Sequence, residues 1–168
     1  MPIEIDSIDR LIDHISGQAV GLITVDGRDG SGKTYLASEL HKRLGSLHLT
    51  EADFRTTDLE GHFVPELEEL KAAIGKASDD AYVIFDSCLM LSTLESLGIE
   101  ADISIYVKKL SPMGLWSDVD EVGCERPRDE ALKRATNMGA TEFRIQVIDY
   151  HYDYEPHLRS DVVYLRAG

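Results

Sequence analysis

Residues 27–34, Gly27-Arg28-Asp29-Gly30-Ser31-Gly32-Lys33-Thr34, fit the spacing G-x-x-x-x-G-K-[ST] without a mismatch. These residue types share one chemistry. A polyphosphate is a dense anion, and a loop that wraps it must bring several backbone N–H groups close to its oxygens, where side chains would obstruct the approach. Gly27, Gly30 and Gly32 clear that approach, and Arg28, Asp29 and Ser31 complete the loop. Lys33 supplies a mobile charge for the terminal phosphates, and Thr34 places a hydroxyl where a phosphate-bound Mg²⁺ takes a ligand. A nucleoside triphosphate is the expected ligand.

Such a loop works only between a strand that delivers it and a helix whose positive end faces the anion. Residues 20–25 (Val-Gly-Leu-Ile-Thr-Val) read as a buried strand, and Leu36, Leu40 and Leu44 fall on one face of a helix over 35–44. Downstream, 81–86 is an apolar, β-rich run that ends in Asp86, the pattern of a carboxylate that lies beside a phosphate loop and holds Mg²⁺. Helical spacing appears over 5–15, 65–74, 89–97 and 141–154, with further strands over 46–50, 102–107 and 160–165. Five short strands alternating with helices predict a parallel α/β sheet with right-handed crossovers. The strand at 46–50 runs into a polar stretch from Glu51 to Asp58, and Lys108 and Lys109 follow the strand at 102–107. In open parallel sheets ligands gather beyond the carboxyl ends of strands, so these groups stand where substrate arrives. The lysines read equally well as a solvated pair.

At 168 residues the chain is long enough for one domain that buries roughly 70% of its unfolded surface. Its net charge of −14 opposes binding to nucleic acid or to an anionic membrane surface, both of which need phosphates neutralised by Lys and Arg. No apolar run approaches the length of a membrane span and the first residues lack a signal-peptide pattern, so a cytoplasmic location is expected. Against this acidic background, 126–144 carries Arg126, Arg128, Lys133, Arg134 and Arg144 against Asp129, Glu130 and Glu142. This reads either as a solvated helix face or as a cover over phosphates. Cys88 and Cys124 form no C-x-x-C pair and are expected to be inert thiols. Two helical faces of core and surface aromatics account for Tyr150-His151-Tyr152-Asp153-Tyr154.

With these residues in place, the chain resembles the uridine-kinase-like branch of the P-loop kinases, which includes uridine kinase, phosphoribulokinase and bacterial pantothenate kinase. The resemblance rests on the wording from Val25 to Thr34, on Asp53-Phe54 after the second strand, on residues 101–107, and on Ser160-Asp161-Val162-Val163 in the last strand. It implies a three-layer α/β/α P-loop fold with a five-stranded parallel sheet of order 2-3-1-4-5, in one domain over 1–168 with a short lid at 117–139. It also implies transfer of the γ-phosphate of ATP, with Mg²⁺, to a hydroxyl of a small molecule, a nucleoside such as uridine foremost. Lys33 and Mg²⁺ on Thr34 and Asp86 would neutralise the transferring group, and Arg126 and Arg128 would reach it from the lid.

Two departures qualify the resemblance. The family places its catalytic aspartate two positions before the aromatic, where this chain has Ala52; Asp53 is then the expected base, with Glu51 in reserve. The Arg-rich lid run is shortened to Arg126-Pro127-Arg128-Asp129. A non-catalytic ATP-binding module is therefore a second reading. A GTPase-like switch ranks third because no Asn-Lys-x-Asp guanine motif occurs. The partners expected are a small-molecule hydroxyl acceptor and, compatibly, further copies of the chain in a homo-oligomer.

Overall fold

The computed structural model of the chain describes residues 1–18, 21–57, 63–77, 82–117, 119–122 and 124–168. Val20 and Ala81, expected to open two strands, lie outside the described residues, as do 78–80 of the loop after the third helix. In chain order the elements are strand β1 (Ile3–Ile5), helix α1 (Ile8–Ser16), β2 (Leu22–Asp26), α2 (Lys33–Leu44), β3 (Leu47–Thr50), one turn of 3₁₀ helix (Glu51–Phe54), β4 (Arg55–Thr57) and β5 (Phe63–Pro65). They continue with α3 (Leu67–Ala77), β6 (Val83–Ser87), α4 (Met90–Leu97), β7 (Ile103–Leu110), α5 (Val119–Val122), α6 (Arg128–Asn137), α7 (Glu142–Tyr154), α8 (Pro156–Arg159) and β8 (Val162–Ala167).

One all-parallel sheet runs β1-β8-β7-β2-β6-β3, and β4 and β5 form a separate antiparallel pair. The five expected strands stand in the order 2-3-1-4-5, but the sheet has a sixth. Residues 3–5 add to β8 as a parallel edge strand, with Ile3 opposite Val162 and Ile5 opposite Tyr164. Ile5 fits helical spacing as well as a strand, which is why the helix expected from residue 5 begins later. Ser7 is extended and caps α1, its hydroxyl accepting the Arg10 N–H at 3.3 Å. Ile5 instead buries its side chain in the core.

β2 lies between β6 and β7 and is buried along its whole length, as a central parallel strand requires. Alternation along the strands sends side chains to opposite faces. Ile23, Val25, Ile84 and Ile105 pack against Leu11 and Ile15 of α1 and Leu36 and Leu40 of α2. On the other face Leu22, Val83 and Phe85 meet Leu70 and Ile74 of α3 and Met90 and Leu94 of α4. Each of these buried apolar side chains stabilises the fold by about 1.5–3 kcal/mol relative to exposure. Together they hold β2, and the loop that leaves it, against movement from either side. Among the described residues no helix is long and apolar enough to cross a membrane.

The segment expected as a lid is helical and packed. Ala131 and Ala135 of α6 bury against Ile148 of α7, and Arg128 forks onto Asp149 and Asp153 of the same helix at 2.6–2.8 Å through Nη2, Nη1 and Nε. Asp118 and Gly123 of this segment lie outside the described residues.

Candidate active site

The loop between β2 and α2 shows why its glycines are glycines. Gly32 has φ +97°, a conformation that L side chains rarely adopt, and a Cβ there would collide with the guanidinium of Arg166. A Cβ on Gly27 would stand 2.6 Å from the Ser31 hydroxyl. The Ser31 N–H closes a turn onto the Arg28 carbonyl at 3.0 Å. The Ser31 hydroxyl is fully buried and, among the described residues, has no hydrogen-bond partner. A buried hydroxyl left without a partner costs about 1–3 kcal/mol, and a ligand oxygen in the loop would recover it.

Beside the loop, at the carboxyl ends of β2, β3 and β6, lies a cavity of about 270 Å³. Asp29, Lys33, Thr34, Thr50, Glu51, Ala52, Asp86, Ser87, Cys88 and Phe143 line it. Burial works against the charge of Lys33, but the Cys88 sulfur, Asp86 and Asp29 outweigh it and hold the ammonium above the usual lysine range. Lys33 therefore enters the cavity as a cation. Burial pushes the Cys88 thiol up to about 11, so it stays protonated.

Thr34 and Asp86, expected to share Mg²⁺, are adjacent: Thr34 Oγ1 donates to Asp86 Oδ1 at 2.9 Å. His48 Nε2 lies 2.7 Å from Asp86 Oδ2, and the Thr50 hydroxyl donates more weakly to Oδ1 at 3.4 Å. A hydroxyl and a carboxylate are hard oxygen donors, and Mg²⁺ characteristically takes one or two such protein ligands and completes its shell with phosphate and water. The residues fit that ion. Among the described residues no group of three or more His, Cys, Asp or Glu could hold a metal without such help.

The acid expected to act as base is placed differently. Asp53 is exposed and does not line the cavity, whereas Glu51 is buried and does. The physical reason is the backbone between β3 and β4. An extended run would alternate its side chains, but residues 51–54 form a 3₁₀ turn, in which residues three apart share a face. Phe54 packs against the core around Leu70 and Phe85, so Glu51, three residues before it, is carried inward as well. Ser87 Oγ donates to Glu51 Oε2 at 2.7 Å and the Cys88 N–H reaches the same oxygen at 3.3 Å. One carboxylate oxygen is thus fixed by the strand that carries Asp86.

Asp26, the last residue of β2, anchors the root of the loop. Its carboxylate accepts the Gly27 N–H at 2.6 Å and a short hydrogen bond from the Tyr150 hydroxyl. Burial raises its pKa to about 7, with Glu51 adding to the rise and the Tyr150 and Gly27 bonds and Lys33 opposing it. The neighbouring His151 is a satisfied core histidine, with Nδ1 bonded to the Val147 carbonyl at 2.7 Å and Nε2 to the Tyr106 hydroxyl at 2.9 Å. Tyr150 and His151 are thus core, while Tyr152 and Tyr154 of the same cluster are half-buried, the two faces expected of this helix.

A strand, a glycine loop and a helix gathered at the carboxyl edge of a parallel sheet find a match among solved structures. The structure of "a Possible Uridine Kinase from Bacillus stearothermophilus" superposes with a TM-score of 0.59 over 94% of this chain and 96% of that one, at 15% identity. The two share an α/β fold built on an all-parallel sheet, P-loop kinase-like in its architecture. A "putative fructose transport system kinase from Silicibacter sp. TM1040" matches at 11% identity and a TM-score of 0.49 over 96% of this chain and 98% of that one. No family model and no curated protein matches the sequence.

Within this fold the cationic residues distribute in a way that charge alone did not foretell. Neither Arg126 nor Arg128 lines the cavity. Arg128 is engaged with α7, and the Arg126 carbonyl accepts the Tyr152 hydroxyl at 2.6 Å. Two other arginines face the open side of the loop: Arg28, within it, and Arg144, in the first turn of α7. With Asp29, Thr141, Phe143 and Val147 they line an adjoining space of about 170 Å³. Lys108 lies over the Trp116 ring at 4.9 Å.

Proposed function

We propose that this chain is a P-loop kinase that moves the γ-phosphate of Mg-ATP to a hydroxyl of a small molecule, with a nucleoside such as uridine first among acceptors. The observation that carries the reading is that Lys33, Thr34, Glu51 and Asp86 line one cavity beside the phosphate loop. The chemistry is positioning and charge neutralisation. The acceptor oxygen attacks the γ-phosphorus, the bond to the β–γ bridging oxygen breaks, ADP leaves, and the hydroxyl proton passes to a carboxylate. Glu51 is the carboxylate in place to take it. Lys33 neutralises oxygens of the leaving and transferring groups. Mg²⁺ on Thr34 and Asp86 would supply further charge there when bound.

The test is ADP release from Mg-ATP across a panel of nucleosides, sugars and pantothenate. Saturable release with one acceptor class is expected; background release with every acceptor would sink the kinase reading. In an active assay Asp86→Asn should raise the Mg²⁺ concentration needed for half-maximal rate by about tenfold or more. A superimposable Mg²⁺ titration would remove Asp86 from the metal site.

One observation favours a second reading, a non-catalytic ATP-binding module. Ala52, where the family places its acid, lines the cavity with only a methyl group. Tight Mg-ATP binding without turnover, unaffected by Glu51→Gln, would favour it.

A further inference from the structure

The phosphate loop is braced by a side chain from the other end of the chain. Arg166, next to last in β8, donates from Nη1 to the carbonyl of Ser31 at 2.9 Å, across 135 residues of sequence. The same guanidinium packs against Gly32, where any Cβ would overlap it. Arg166 lines neither of the two cavities beside the loop, so it meets the loop from outside.

The Ser31–Gly32 peptide turns this contact into a statement about ligand binding. A trans peptide is planar, and its C=O and N–H point in opposite directions. No cis peptide occurs among the described residues. Drawing the Ser31 carbonyl outward onto Arg166 therefore directs the Gly32 N–H to the other side, where the loop gathers its anion. Gly32 needs such restraint more than most residues, because glycine at φ +97° has open conformational alternatives. Lys109 stands directly opposite Arg166 on the neighbouring strand, on the same face of the sheet. Like charges in that register repel, which favours a guanidinium extended over the loop. Among the described residues no carboxylate pairs with Arg166, so its charge adds to the potential felt by a phosphate in the loop.

We propose that Arg166 is a positioning residue for nucleotide binding: through the Ser31 carbonyl it sets the peptide plane that aims the Gly32 N–H at the phosphates, and it places a positive charge behind the loop. This rests on the reading of the loop as a triphosphate site.

The experiment measures Mg-ATP affinity by calorimetry for the unmodified protein, Arg166→Met, Arg166→Lys and Arg166→Gly, with thermal midpoints alongside. Arg166→Met should weaken Mg-ATP binding by about tenfold, and Arg166→Lys, which keeps charge but not the fork, should recover part of that loss. Guanidinium ion at millimolar concentration should restore affinity to Arg166→Gly without affecting the unmodified protein. In the ATP-free protein the Gly32 amide resonance should shift in Arg166→Met. Unchanged affinity in Arg166→Met would overturn the proposal, as would a loss that tracks the thermal midpoint and is not rescued by lysine or guanidinium. If the unmodified protein fails to bind Mg-ATP, the triphosphate reading falls and the proposal with it. If it binds and the variants bind equally, only the brace falls.

Discussion

Glu51→Gln is expected to lower kcat by roughly 10²–10⁴-fold, the range for loss of a positioned proton acceptor, with Mg-ATP affinity changed by less than about twofold. The amide keeps the size of the side chain and an oxygen for the Ser87 hydroxyl, so the turn at 51–54 and its contact with β6 persist. What it loses is the capacity to take a proton. Asp53→Asn tests the acid expected from the sequence, and because Asp53 is exposed and does not line the cavity it should change kcat by less than about threefold. The reverse ranking of the two variants would return the base to Asp53. Equal insensitivity of turnover to both would exclude either carboxylate as proton acceptor.

The second large effect concerns stability and pH, where two buried groups near the loop oppose one another. Asp26 has its pKa raised by burial to about 7 from an ordinary value of 3.8. It contributes stability that is fully present below about pH 4 and lost as pH rises through about 7, amounting to about 4 kcal/mol. Burial lowers the pKa of His151 to about 4 from 6.5, against the pull of the Val147 carbonyl. It contributes stability that is present above about pH 6.5 and lost as pH falls through about 4, amounting to about 3 kcal/mol. Between these limits the slopes have opposite sign and largely cancel. Urea unfolding of Asp26→Asn between about pH 4.5 and 6.5 should show stability rising with pH, and His151→Gln should show it falling. If both variants retain the slope of the unmodified protein, neither group titrates as described.

The strand, glycine turn and helix around Gly27 to Thr34 were legible because spacing alone fixes where the glycines, Lys33 and Thr34 fall. Asp86 was legible for a related reason: a carboxylate at the end of a buried strand next to the loop has one place to go, and it meets Thr34 at 2.9 Å. Where residues act through the conformation of a connecting segment, the sequence said less. Glu51 and Asp53 exchange inside and outside according to whether 51–54 is extended or a 3₁₀ turn, and the telling clue was the apolar Phe54 three residues after Glu51. Ile5 satisfies two periodicities at once, so the sixth strand was hidden inside an expected helix. The arginines of 126–144 announced charge but not partner. Arg128 found its counter-ions on α7, and Arg144, counted only as part of the segment, is the one beside the loop. Arg166 has no local signature, since its meaning depends on a carbonyl far away in sequence.

The pairing of β1 with β8 has a consequence for how the molecule is made. Ile3 finds its partner in Val162, so β1 can take its place in the sheet only after β8 has been made. In the finished sheet β1 is an outer edge, beside β8. Such sequence-distant pairings are intrinsically slow to close. β8 thus gains its second neighbour, at Val162 to Tyr164, through a pairing that spans most of the sequence, whereas Arg166 further along the same strand is held by β7 alone.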